Sequence, residues 1–136
     1  MKKLIVMLVL LMSSPLYAHE MTPTYPKLSP SHLDNVYKTT MEMFNKRDDV
    51  EYYELGVFDK EWNPVPFVTS YNIIKLRYLG HVTFDIYIRK DDVSRAEYVC
   101  SKSKLRKDSD TKTAITSRIC SRFKWVGMLE WEKYVY

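Results

Sequence analysis

From Val82 to Arg89 every second residue is apolar. Val82, Phe84, Ile86 and Ile88 alternate with Thr83, Asp85, Tyr87 and Arg89. A strand turns successive side chains to opposite faces, so this pattern builds a ribbon with one buried face and one wet face. The same period recurs along the chain. Met41, Met43 and Asn45 alternate with Thr40, Glu42 and Phe44, and Tyr53, Leu55 and Val57 are spaced by Glu54 and Gly56. Ile115, Ser117, Ile119, Ser121, Phe123 and Trp125 form a fourth series. An amphipathic helix needs apolar residues three and four apart, and no window after residue 18 sustains that spacing. The segment from Asp34 to Phe44 comes nearest, but its Val36, Thr39 and Thr40 favour a strand.

Turn formers divide these strands: Ser29-Pro30-Ser31, Asn45-Lys46-Arg47-Asp48, Glu61-Trp62-Asn63-Pro64, Leu79-Gly80, Lys90-Asp91-Asp92 and the run from Lys107 to Asp110. About seven short strands with turns roughly every 8–15 residues predict an all-β, immunoglobulin-like β-sandwich. Residues 19–125 would form this single domain. Residues 126–136 are too apolar for a solvated tail, with Met128, Leu129, Trp131, Tyr134, Val135 and Tyr136. They would extend the last strand, fold over a sheet edge or dock on a partner.

The first eighteen residues read as a secretory signal peptide. Lys2 and Lys3 precede an apolar run from Leu4 to Met12, followed by Ser13-Ser14-Pro15 and a small residue, Ala18. The run is shorter than the roughly 20 residues a membrane span requires. No cysteine follows it to take a lipid. Cleavage after Ala18 would leave 118 residues starting at His19, in the periplasm or outside the cell. Removing two lysines lowers the formal net charge from +4 to +2, which gives no case for nucleic acid or an anionic membrane as partner.

Cys100 and Cys120 are the only cysteines, in a chain destined for an oxidising compartment. Their midpoint falls in a polar, turn-forming segment, Lys104 to Lys112. Folding back at Ser109-Asp110 sets the two cysteines opposite each other on antiparallel strands. Such a bridge contributes about 3 kcal/mol in the chain-entropy picture. The alternative is a pair of buried free thiols.

The order of elements carries a resemblance. Thr22-Pro23-Thr24-Tyr25-Pro26-Lys27-Leu28 leads into an alternating strand that closes on Asn45. There follow Val57-Phe58-Asp59, a turn at Trp62, Pro64-Val65-Pro66-Phe67, Leu79-Gly80, the strand from Val82 to Arg89, and an aromatic strand before a hairpin. From Met21 to Trp125 this resembles the amino-terminal domain of periplasmic pilus-assembly chaperones, the PapD-like immunoglobulin fold. The resemblance implies a protein partner and binding by strand addition, with the last strand presenting alternate apolar residues. Here those are Ile115, Ile119, Phe123 and Trp125, with Arg118, Arg122 and Lys124 keeping the edge soluble. The same alternation equally serves the domain's own core, because every sandwich strand needs an inward face. Members of the family have a second immunoglobulin-like domain, whereas this sequence stops shortly after the first should close. They also hold a subunit's terminal carboxylate between an arginine of the first strand and a lysine of the last. Tyr25 stands at the first position and Arg122 or Lys124 near the second, so that anchor does not carry over.

Nothing in the sequence assembles a catalytic motif. The histidines are scattered, and three glycines form no phosphate loop. Arg47-Asp48 and Asp91-Asp92 read as solvated turn ends. The expectation is a non-enzymatic interaction protein without a cofactor. A second reading is a periplasmic copper carrier, because an amino-terminal His19 would offer amine and imidazole to Cu(II), with His81 or His32 adding a ligand.

Overall fold

The computed structural model describes residues 18–104 and 116–124. Eight strands and one helical turn follow in order: β1 (Glu20–Thr22), β2 (Ser29–Pro30), β3 (Val36–Phe44), β4 (Tyr52–Phe58), β5 (Ile73–Lys75), β6 (His81–Arg89), α1 (Lys90–Val93), β7 (Tyr98–Lys104) and β8 (Arg118–Arg122). They form two antiparallel sheets. In the first, β6 pairs with β3 along its whole length, and β1 and β2 share the other side of β3 at opposite ends. The second runs β5-β4-β7-β8. This is an immunoglobulin-like β-sandwich, as the alternation and turn spacing predict.

The core lies between the sheets and is built by the period-two residues. Met41, Met43, Phe84, Ile86 and Ile88 face inward from the first sheet, and Tyr53, Leu55, Val57 and Val99 from the second. Val82, nearer the strand's end, is half-buried and packs against this core. Burying each large aliphatic side chain contributes about 1.5–3 kcal/mol. Asn45 continues the inward series of β3 and is fully buried.

Three turn readings change. Ser29–Pro30 is a short edge strand paired with Lys38 and Tyr37, a place where proline costs the ladder nothing. Lys90–Val93 is a helical turn rather than a plain loop, and Asp92 is buried in it. Its carboxylate accepts hydrogen bonds from Arg95 and Arg89, which hold its pKa below the usual carboxylate value. Arg47, expected in solvent, is buried with its guanidinium forked onto Asp49 at 2.7 and 2.8 Å. Charges enter the interior here because each has a partner.

The parity of β6 gives a stability test. Phe84→Ala should cost about 3–5 kcal/mol in urea unfolding, while Thr83→Ala, on the wet face, should stay within about 0.5 kcal/mol. Equal losses would contradict the half-buried strand.

Candidate functional site

The β7–β8 hairpin shapes the most distinctive surface. Cys100 and Cys120 are direct cross-strand partners and are joined by a disulfide, as the sequence midpoint predicts. Alternate residues of an antiparallel strand turn their backbone groups toward the neighbour or away from it. Ser103 N–H donates to Ser117 O, and Phe123 N–H to Glu97 O, so odd-numbered positions of this strand face β7. Arg118, Cys120, Arg122 and Lys124 therefore point their N–H and C=O groups to the outer edge.

Part of that edge is covered. After β1 the chain leaves the first sheet and runs beside the end of β8. Thr24 O accepts from Arg122 N–H at 3.1 Å and Pro26 O accepts from Lys124 N–H at 2.8 Å, next to a parallel bridge between Lys27 and Lys124. Pro26 has no N–H to return. At Arg118 and Cys120 the outward N–H and C=O groups have no backbone partner among the described residues, although β1 passes near β8. Among the described residues the edge is closed at one end and open at the other.

The structure divides the residues assigned to partner binding. Ile119 is half-buried against the core and Phe123 is 3% exposed, so both face the domain's own interior. Ile115, Trp125 and residues 126–136 lie outside the described residues, as does the signal-peptide segment 1–17. The exposed side chains of this edge are Arg118, Arg122 and Lys124. Arg122 reaches back to the buried Glu97 at 2.7 Å. Tyr25 sits on the covering segment, 59% exposed. Sequence reading missed this strap. Its signal was the pair Pro23 and Pro26, which cannot donate to a ladder and so cannot continue β1 along β3.

Of the histidines in the copper reading, His19 and His81 are not brought together. His19 is 1% exposed and turned inward. Its Nε2 lies 2.8 Å from Ser101 Oγ and 3.3 Å from Ser101 O, and its Nδ1 lies 3.3 Å from Ser117 Oγ. A carbonyl can only accept, so Nε2 carries the proton and Nδ1 accepts from the hydroxyl. Arg47 Nη1 donates to the same hydroxyl at 3.2 Å. The ring also packs on Tyr53, with centroids 4.5 Å apart. His81 lies on the outer face of the first sheet, paired with Glu42. A copper ion at His19 would have to displace Ser101 or Ser117, and it would find His81 across the sheet. Among the described residues no three His, Cys, Asp or Glu side chains are grouped to hold a metal. No described helix is long and apolar enough to cross a membrane.

With this geometry in hand, solved structures provide the comparison. The E. coli chaperone DraB superposes with a TM-score of 0.60 at 15% identity, covering 80% of this chain and 54% of that one. A chain of the Salmonella enterica SafA pilin–SafB chaperone complex gives 0.58 at 12% identity, covering 82% and 55%. The periplasmic chaperone SfaE gives 0.51 at 16% identity, covering 79% and 57%. The chain thus has the fold of PapD-like pilus chaperones and spans little more than half their length. No protein-family model matches the sequence, and no curated protein matches it.

The His19 contacts predict a pH dependence. Burial pushes its imidazole pKa below 6.5; the Ser101 carbonyl opposes this shift and the charge of Arg47 adds to it. Between the lowered folded value and 6.5 the unfolded chain binds more protons, so stability is full above 6.5 and falls as the pH drops through this window. His19→Gln should flatten that fall in urea titrations above and below pH 6.5. An unchanged slope would contradict a buried, neutral His19.

Proposed function

We propose that this chain is a non-enzymatic protein-interaction domain of the periplasm or secreted space. It acts as a pilus or surface-structure assembly accessory, binding a partner strand at the open end of β8. The observation that carries this reading is the edge at Arg118 and Cys120, whose outward backbone groups have no partner among the described residues. An extended segment can pair there through main-chain bonds, as edge strands commonly allow. The fold likeness to chaperones supports it, one of them a periplasmic chaperone and another solved in complex with a pilin. The leader-like residues 1–18 and the disulfide fit an oxidising compartment. The side chains meeting the partner are Arg118 and its neighbours on the wet face, because Ile119 and Phe123 are used in the core.

Proline at residue 118 tests the edge, because the N–H it removes points away from β7. Arg118→Pro should leave the unfolding midpoint near that of the wild type and abolish capture of partner proteins from periplasmic extract. Capture equal to that of the wild type would place the interface elsewhere.

A further inference from the structure

A groove of about 220 Å³ crosses the outer face of the second sheet, on the side away from the core. Its floor is one row of the ladder, Gly56 beside Cys100 beside Cys120. A Cβ on Gly56 would come within 2.8 Å of the Phe58 ring, so a side chain here would crowd the ring and fill the groove. The neighbouring row is Glu54, Lys102 and Arg118, and all three line the groove. Phe58 closes the other side. Beyond it Trp62 stacks on Tyr98, ring centroids 4.4 Å apart and planes within 2°.

Charge is distributed unevenly over this face. Lys75, Lys102, Lys104, Arg118 and Arg122 point outward, and Glu54 is the one outward carboxylate among the described strand residues. Glu54 is turned onto Lys104, 3.0 Å away. Lys102 and Arg118 stand directly opposite each other on adjacent strands, and like charges so placed repel. Neither has a carboxylate partner among the described residues. Arg118 reaches over the disulfide, and its guanidinium lies 5.7 Å from the Phe58 ring centroid and 5.9 Å from that of Trp62. The rings hold the cation in place by cation–π attraction and leave its hydrogen-bond donors unused. Two neighbouring cations over an apolar floor, one of them held by the rings, fit a bridging carboxylate, whose binding would also relieve their repulsion.

We propose that this groove docks an acidic side chain from an extended segment of a protein partner, with Lys102 and Arg118 gripping the carboxylate and Phe58 packing on its aliphatic stem. The volume is below the roughly 300–1,000 Å³ of sites for drug-sized ligands, and it suits one anchoring side chain. The site goes beyond strand addition, since Lys102 lies on an interior strand with no free edge.

The test uses the oxidised chain and two probes, a poly-glutamate peptide and polygalacturonate, read by backbone and indole NMR shifts. Poly-glutamate should shift Gly56, Lys102, Arg118 and the Trp62 indole together. Lys102→Gln and Arg118→Gln should each weaken binding at least about tenfold, the scale of a lost charge-assisted contact. Lys90→Gln, the same change of charge at α1, should leave it near the wild-type value. Equal weakening by Lys90→Gln, or shifts spread over all surface lysines, would overturn the site. Tighter binding of polygalacturonate in the groove would overturn the protein partner and make the occupant an acidic glycan. Lys102→Gln and Arg118→Gln both keep the N–H groups of the β8 edge, so capture kept by Arg118→Gln and lost by Arg118→Pro reports the edge, whereas loss of peptide binding in Lys102→Gln reports the groove.

Discussion

Asn45 is fully buried at the end of β3, and its hydrogen-bonding capacity is used. Nδ2 donates to Val50 O and Leu76 O, both at 2.8 Å, while Oδ1 accepts from Arg47 N–H and from the Tyr53 hydroxyl. Its backbone pairs with Gly80 and Leu79. One side chain thereby ties β3 of the first sheet to Tyr53 of the second, and both to the connections before β4 and β6. A buried amide with every group satisfied specifies one arrangement, because any shift leaves several groups unpaired. From Arg47 the contacts continue through Ser117 to His19 and Ser101, reaching β7 and the start of β8. The open edge begins where this polar cluster ends.

That position explains how β8 stays orderly with one side partly bare. The disulfide fixes its register on β7, and the inward Ile119 and Phe123 tie it to the core. The Thr24–Lys27 strap caps one end, with prolines that limit further pairing. Arg118 and Arg122 add charge to the wet face, a common protection of edges against unwanted association. Among the described residues what is left open is short, which favours one chosen partner over indiscriminate aggregation.

Much of this was legible from local pattern. Phe84, Ile86 and Ile88 alternate strictly, so their shared burial follows from strand geometry alone, and the same holds for Met41 and Met43. The cysteine register could be read from the polar midpoint between Cys100 and Cys120. The features that escaped depend on residues distant in sequence. Arg47 looks solvated until Asp49 and Ser117 are seen around it. The strap at Thr24–Lys27 requires knowing that β8 runs beside it. The inward facing of Ile119 and Phe123 was one of two readings the alternation left open, and only the packing of the opposite sheet decides it. In the sequence Gly56 is only a spacer between Leu55 and Val57, and its use as a groove floor emerges from Phe58, Cys100 and Arg118 coming together across three strands.

Amide hydrogen exchange along β8 in the free protein tests the half-open edge most directly. Residues whose N–H groups face β7 or the strap should be protected, and those facing open solvent should not. Ile119, Ser121, Arg122 and Lys124 should exchange slowly, while Arg118 and Cys120 exchange much faster despite lying between protected neighbours. Protection of Cys120 equal to that of Ser121 would show the edge already covered and contradict strand addition at this site.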